Sequence, residues 1–167
     1  MKGREKPPEV RLDPLPGERF PAFRAHLETH YARDKVDSGA WSLAEAPRRA
    51  AAELDGLLPQ ETDTRDHFLF YVVDTVTHEE VGTVWIHVRD QGSGRVVWIY
   101  DLEVFDRFRR RGYATRILAA VEDKARELGA DRVELHVFGH NAAARRLYER
   151  SGYEPTSISM SKRIDLR

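Results

Sequence analysis

A run of three arginines followed by a glycine is the segment of this 167-residue sequence best suited to chemistry. Arg109, Arg110 and Arg111 follow an apolar, strand-like segment, and Gly112 stands before a segment with helical periodicity. The first turn of a helix offers about four unpaired N–H groups and a partial positive charge. Gly112 and Ala114 let a phosphate approach that backbone, and the arginines add positive charge. The spacing therefore predicts an anion cradle whose natural ligand is a pyrophosphate.

Two simpler explanations of the arginine run are a solvated charged surface and a nucleic-acid contact. A dinucleotide-binding turn is disfavoured because its three-glycine spacing is missing, and no Gly-Lys-Ser/Thr follows as in an ATP-binding P-loop. The chain has 27 Lys+Arg against 28 Asp+Glu, which gives a formal net charge of −1. Such a chain has no overall electrostatic attraction for nucleic acid or for an anionic membrane.

A second segment of interest begins at Asn141, which precedes a predicted helix as its N-cap. The two segments together resemble, in order, separation and strand–helix context, the two signature blocks of the GNAT superfamily of N-acetyltransferases. The blocks read Arg109-x-x-Gly112-x-Ala114 and Asn141-x-x-Ala144-x-x-Leu147-Tyr148-x-x-x-Gly152-Tyr153. Ala114 departs from the glycine that is commoner at its position, a change that the superfamily tolerates.

The resemblance implies acetyl-CoA as cosubstrate and gives the backbone most of the binding. The N–H groups from Arg109 through Thr115, with Tyr113 among them, would hold the pyrophosphate of coenzyme A. The strand that contains Leu102 and Val104 resembles the bulged fourth strand of the superfamily, and its backbone over 102–104 would pair with the pantetheine arm as an added strand does. The Val104 amide would polarise the thioester carbonyl.

Two side chains of the second block acquire roles from the same resemblance. Asn141 would hydrogen-bond the pantetheine arm, and the simpler explanation is that it only caps its helix. Tyr148 would protonate the departing thiolate, and its simpler explanation is packing against neighbouring apolar and aromatic side chains.

An amine acceptor must lose a proton, because an alkylamine with a pKa of about 10.4 is mostly ammonium at pH 7. Alternation along the strand places Asp101 and Glu103 on the same face as Val97 and Ile99. His136 points to the polar face of the next strand. In relatives that acetylate protein N-termini, the base is a carboxylate five residues before the asparagine, where this chain has His136. His136, Glu103 and a water chain all stay open as the proton acceptor.

The elements that must position these groups follow from the periodicity of apolar residues. In chain order we expect a short strand over 10–12, helices over 17–36 and up to 58, strands over 68–73, 81–88 and 96–104, a helix over 111–128, a strand over 133–138, a helix over 141–150 and a last extended stretch over 152–164. This order predicts an α/β, GNAT-like fold with a central mixed, mostly antiparallel sheet and helices on both faces. We expect one domain over 1–167, frayed over 1–9, with residues 68–164 matching the cofactor-binding part best.

Several classes of function are excluded by what the sequence lacks. It has no cysteine, so disulfides and a thiol nucleophile are ruled out. Its histidines show no ligand-like spacing, and no metal site is predicted. No apolar run reaches the ~18 residues of a membrane span, and the N-terminus does not look like a signal peptide, so we expect a cytoplasmic protein.

The sequence therefore predicts an acetyl-CoA-dependent N-acetyltransferase that passes the acetyl group directly to a primary amine of unknown identity. A small-molecule or peptide amine is the expected partner, without nucleic acid or membrane. Because the superfamily often forms dimers, the resemblance also implies a homodimer. The alternative is an acyl-CoA-binding module without catalysis.

Overall fold

The computed structural model describes residues 7–165, which form a five-stranded sheet with helices on both faces. The strands are β1 (Val10–Pro14), β2 (His67–Asp74), β3 (Glu80–Gln91), β4 (Gly94–Val104) and β5 (Arg132–Leu135). The helices are α1 (Phe20–Asp37), α2 (Ala46–Leu57), α3 (Tyr113–Glu127) and α4 (Ala142–Arg150), with short 3-10 turns at Gly17–Arg19, Glu61–Asp63 and Asp106–Phe108. Strands β1 to β4 are antiparallel neighbours, and β5 joins β4 in parallel. The expected mixed, mostly antiparallel sheet is confirmed.

Each face of the sheet is covered because its helices carry an apolar stripe. On one face, α1 and α2 bury Phe20, Phe23 and Leu54 against the β-strand residues Tyr71 and Trp85. On the other face, α3 packs onto the sheet through fully buried side chains. These are Ile117, Leu118, Val121 and Ala125. Burial of one Val, Leu or Ile side chain contributes roughly 1.5–3 kcal/mol. The apolar stripe therefore holds α3, and with it the start of the helix, in place against the sheet.

A β-bulge in β4 reverses the face on which its last residues lie. The pairing with β3 moves from Ile86 opposite Ile99 to Trp85 opposite Asp101, which leaves Tyr100 as an extra residue. Val97 and Ile99 therefore face α3, whereas the Glu103 side chain reaches α1 on the opposite face. The prediction that Asp101 and Glu103 share a face with Val97 and Ile99 is wrong, because the extra residue shifts the alternation by one position.

Strands β4 and β5 separate beyond Ile99. Their parallel pairing runs only from Val96 opposite Arg132 to Ile99 opposite Leu135. Strand β5 also ends at Leu135, three residues earlier than predicted. Residues 101–104 consequently keep a strand partner only on the β3 side, and their other edge is open within the described part of the chain.

The C-terminal stretch differs from the sequence-based expectation. Residues 153–165 form no strand, and the large apolar side chains Ile158, Met160 and Ile164 are exposed. The expected last extended strand is therefore wrong: no ladder hydrogen bonds to this stretch occur in residues 7–165. Of the segment expected to be frayed, residues 1–6 lie outside the described residues, and the Glu9 carbonyl accepts a hydrogen bond from Thr75 N–H at 3.0 Å. Within residues 7–165, none of the helices has the length and hydropathy to cross a membrane.

Candidate active site

The predicted anion cradle is a tight turn that leads into α3. Gly112 is the N-cap of the helix and adopts φ +87°, a left-handed conformation that favours glycine. Arg110 also has a positive φ, +63°. These two positive φ angles, two residues apart, turn the chain sharply. The N–H groups of the first helical turn are left facing out of the helix.

Tyr113 anchors this helix start to the sheet. Its hydroxyl donates a 2.6 Å hydrogen bond to the buried carboxylate of Asp74, at the end of β2. Asp74 also accepts hydrogen bonds from Val76 N–H and Thr77 N–H, at 2.8 and 2.9 Å. The bond from Tyr113 and these backbone donors lower the pKa of Asp74. Burial, with Asp74 beside it, raises the pKa of Tyr113 to about 12, so the hydroxyl stays a proton donor.

The space in front of the cradle is open. Among residues 7–165, a Cβ atom added to Gly112 would meet only Pro8 Cδ, at 3.8 Å, and Gly112 itself is exposed. That is the room an approaching phosphate needs, and a side chain at this position would fill it. The residues present therefore fit a bound pyrophosphate.

The arginine side chains of the cradle do not act alike. Arg110 and Arg111 are exposed beside Gly112. Arg109 folds back, donates from Nε to the Val104 carbonyl at 3.1 Å and pairs with Asp106 at 2.9 Å. Its side chain thus links the cradle to the end of β4, a contact that the sequence did not indicate.

The end of β4 is held against β3 by a glycine. Gly82 lies opposite Val104, and a Cβ atom at Gly82 would overlap the Glu103 carbonyl oxygen and crowd the Val104 Cα. Phe105 N–H donates to Val81 O at 2.9 Å on the β3 side. Because successive N–H groups of a strand point to opposite sides, the Val104 N–H points to the open side.

The second block supplies α4, which lies beside this open edge. The Asn141 side chain accepts a 3.1 Å hydrogen bond from Ala144 N–H, so it does cap the helix as expected. Tyr148 is half-buried, with its ring 5.8 Å from that of Tyr153. Burial raises the pKa of Tyr148, and the charge of Asp101 raises it further. Tyr148 therefore has both a packing contact, with Tyr153, and an electrostatic partner, Asp101.

Carboxylates and histidines gather between β4 and α1. Glu103 Oε2 lies 2.5 Å from His26 Nε2, and the side chains are 16% and 47% exposed respectively. Burial raises the pKa of Asp101 to about 7, and the neighbouring Glu103 carboxylate acts in the same direction. His30 lies one helical turn beyond His26, with the two ring centroids 4.2 Å apart.

His136 lies apart from these groups. It is exposed just after β5, and its ring contacts Phe138 edge-to-face at 5.0 Å. Phe138 in turn lies near α1, with its ring centroid 6.0 Å from Lys35 Nζ. In the described part of the chain, no hydrogen bond or ion pair links His136 to Glu103.

The expectation that no histidines have ligand-like spacing is wrong for His26 and His30. They are four residues apart on α1, and with Glu103 they present three donor atoms that all lie within 4.8 Å of one another. The four-residue spacing was visible in the sequence, but the contribution of Glu103 depends on the bulge in β4.

Comparison with known proteins agrees with this geometry. Residues 25–153 match the acetyltransferase (GNAT) family, and the chain belongs to that family. It is 34% identical over 155 residues to the uncharacterized N-acetyltransferase YycN of Bacillus subtilis, covering 93% of this chain and 99% of YycN. The uncharacterized N-acetyltransferase YdgE of the same organism is 31% identical, with 92% and 97% covered.

Solved structures agree with the fold. A crystal structure of YycN from Bacillus subtilis superimposes with a TM-score of 0.88 at 33% identity, covering 94% of this chain and 99% of that one. A putative acetyl transferase from Pyrococcus furiosus gives a TM-score of 0.66 at 25% identity, covering 93% of this chain and 100% of that one. The chain is therefore an acetyltransferase with the GNAT fold, and the resemblance seen in its two sequence blocks is confirmed.

Proposed function

We propose that this acetyltransferase uses acetyl-CoA and transfers the acetyl group directly to a primary amine in a ternary complex. The observation that carries the proposal is the juxtaposition of two open backbone surfaces. The N-terminus of α3, opened by Gly112, and the unpaired edge of β4 at Leu102–Val104 are joined by the bond from Arg109 to the Val104 carbonyl. One surface suits a pyrophosphate, and the other suits the amide-containing arm that continues from it.

The backbone does the binding in this proposal. The N–H groups of Arg110 through Thr115 hold the pyrophosphate, with the charge of Arg110 and Arg111 beside it. The Arg109 N–H, which was expected to join them, donates instead to Asp106 O at 3.2 Å. The open edge of β4 binds the pantetheine arm, and Asn141 adds a contact while it caps α4.

The bound acetyl-CoA supplies an activated carbonyl carbon for attack by the amine. The Val104 N–H, which points to the open side of β4, stabilises the negative charge that develops on the carbonyl oxygen. The new N–C bond forms as the C–S bond breaks. Tyr148, which burial keeps protonated, donates a proton to the departing sulfur.

Glu103 is the proton acceptor that we propose for the amine. It is adjacent to Val104, its carboxylate is largely shielded, and it contacts the more exposed His26, through which a proton can leave to solvent. Asp101 lies beside it, and the two carboxyl groups interact electrostatically. His136 is the second candidate, and water is the third.

Four further expectations stay predictions alongside this proposal. They are a single N-acetyltransferase domain over 1–167, a cofactor-binding part over 68–164, a cytoplasmic location and a homodimer. Sedimentation of the purified chain tests the homodimer.

An amine panel tests the proposed reaction. The panel should contain an aminoglycoside, a polyamine, free amino acids, a peptide with a free N-terminus and a lysine peptide, and acetylated product is detected by mass spectrometry. We expect acetyl-CoA-dependent acetylation of at least one amine. Tight acetyl-CoA binding with no turnover on any amine would instead support the alternative, a non-catalytic acyl-CoA-binding module.

A further inference from the structure

Three atoms that could each bind a metal ion lie close together between α1 and the end of β4. They come from His26 and His30, which are one turn apart on the same helix, and from Glu103 on the strand below them. All three lie within 4.8 Å of one another, and His26 already contacts Glu103. The helix is fixed to the sheet by the buried side chains of Phe23 and Leu27, which flank His26 in sequence. The two imidazoles are therefore presented from a rigid element.

We propose that His26, His30 and Glu103 form a binding site for a divalent transition-metal ion of the zinc class. Two imidazole nitrogens and one carboxylate oxygen are a donor set that such ions favour. Metal–donor distances of about 2.0–2.2 Å place donors about 3–3.5 Å apart. The contact from Glu103 to His26 must open by roughly 1 Å to admit the ion, a change that rotation of two partly exposed side chains permits.

The electrostatic surroundings favour a cation at this position. The carboxylate of Asp101 lies close enough to Glu103 and His26 to interact with both, and Asp34 interacts with His30 from the next turn of α1. His26 is the most exposed of the three donors, so an ion can enter from solvent. Three protein ligands leave at least one coordination position open for water.

Occupation of the site has a consequence that rests on the proposed function. Glu103 is the group we propose to accept the amine proton, and a metal-bound carboxylate no longer does so. The ion also lies where the amine must approach. Zinc is therefore expected to inhibit acetyl transfer in competition with the amine, while acetyl-CoA binding at α3 is unaffected.

Cobalt absorption tests the site without relying on activity. The metal-free full-length chain is titrated with Co²⁺, and ligand-field bands between about 500 and 650 nm report nitrogen and oxygen coordination. We expect saturation at one Co²⁺ per chain, displacement by Zn²⁺, and no displacement by Mg²⁺, which prefers all-oxygen sites. Absence of saturable one-to-one binding overturns the proposal.

Variants assign the binding to these residues. His30→Gln and, independently, His26→Gln should each raise the Kd for Co²⁺ at least about 100-fold, since loss of a direct ligand exceeds the 10–100-fold cost of losing an outer partner. His78→Asn, at an exposed turn away from the site, is the matched control and should bind as the wild type does. Circular dichroism verifies that each variant is folded. Unchanged affinity in folded His30→Gln and His26→Gln overturns the assignment.

Inhibition is measured with the acetylated product quantified by chromatography, because Zn²⁺ binds the thiol of released coenzyme A. Each variant is compared with its own rate in chelator. We expect Zn²⁺ to inhibit the wild type and His78→Asn but to lose at least about 100-fold in potency on His30→Gln. Equal inhibition of all three would overturn the link to acetyl transfer. If no amine is acetylated, the proposed function fails while the cobalt titration still decides the metal site.

Discussion

His67 should make the stability of the protein depend on pH. Trp85 Nε1–H donates a 2.9 Å hydrogen bond to His67 Nδ1, so that nitrogen must be unprotonated. The ring of His87 stacks on His67 with centroids 4.1 Å apart. Burial, and secondarily the charge of His87, lower the pKa of His67 to about 4. A protonated His67 would lose its bond from Trp85 and would lie against a second titratable ring.

The sign and size of this pH dependence follow from the difference in the pKa of His67 between the folded and unfolded chains. An unfolded histidine titrates near pH 6.5 and the folded one near 4, so the unfolded chain binds the extra proton between these values. The free energy of unfolding therefore falls as the pH decreases through this window. At 1.36 kcal/mol per pKa unit, the loss from His67 reaches about 2.5 kcal/mol at pH ~4.5, and partial exposure of the ring lowers it toward about 1.

Urea unfolding of the wild type and His67→Gln at pH ~7, ~6, ~5 and ~4.5 measures this contribution. The glutamine oxygen keeps an acceptor for Trp85 but does not titrate. Carboxylates such as Asp74, whose lowered pKa gives the same sign, are present in both proteins and cancel in the difference. The wild-type advantage over His67→Gln should shrink by about 1–2.5 kcal/mol between pH ~7 and ~4.5. The control His78→Asn should follow the wild type. A difference between wild type and His67→Gln that is constant across this range would refute the reasoning.

Four other predictions concern the site. Gly82→Ala should lower stability by about 1–3 kcal/mol and weaken acetyl-CoA binding, because its Cβ overlaps the Glu103 carbonyl and displaces β4; unchanged affinity and melting temperature would contradict this. Tyr148→Phe should keep acetyl-CoA binding but reduce kcat by roughly 10²–10⁴-fold where chemistry limits the rate, and an unchanged kcat would leave Tyr148 with packing alone. Glu103→Gln should lose most of kcat/KM while His136→Gln keeps it; the reverse outcome would make His136 the base. Mass spectrometry after mixing with acetyl-CoA alone should show only the unmodified chain, since the sequence has no cysteine, and an acetylated enzyme formed at the rate of turnover would overturn direct transfer.

The cradle is the part of the site that sequence predicts well, because its logic is local. A strand, a glycine and a helix with an apolar stripe suffice to place a helix N-terminus beside Gly112, although the helix begins at Tyr113, two residues later than predicted. The cap at Asn141 is local in the same way, and it forms as predicted. Apolar patterns together with capping and turn residues likewise located both helix pairs and the antiparallel strands.

The groups around Glu103 could not be predicted, because they depend on one extra residue in a strand. Strand alternation places Asp101 and Glu103 beside Ile99, but the bulge at Tyr100 turns them toward α1. The family resemblance implies a bulged fourth strand, but the local sequence does not mark which residue is the extra one, because a bulge is selected by tertiary packing. The requirement for glycine at position 82 has the same cause. A side chain is excluded there only because the folded chain brings β3 against the Glu103 carbonyl.

The prediction of a strand in the C-terminal stretch was wrong for a related reason. Alternation of Ser157, Ile158, Ser159 and Met160 satisfies the pattern of a strand, but a strand needs a hydrogen-bonding neighbour, and the described residues place none beside it.

Calorimetric titration of acetyl-CoA into the wild type and Gly112→Val tests whether the N-terminus of α3 at Gly112 binds the cosubstrate. The valine side chain would occupy the space over the first turn of α3, where the nearest atom of the described residues to a Cβ at position 112 is Pro8 Cδ, at 3.8 Å. A left-handed φ is also unfavourable for valine, so circular dichroism must first show that the variant is folded. Arg109→Ala serves as a milder comparison, expected to weaken binding by about 1–2 kcal/mol because it removes the charged hydrogen bond that links the cradle to the Val104 carbonyl. We expect saturable one-to-one binding of acetyl-CoA to the wild type and none to folded Gly112→Val. Equal affinity in the two proteins would contradict it.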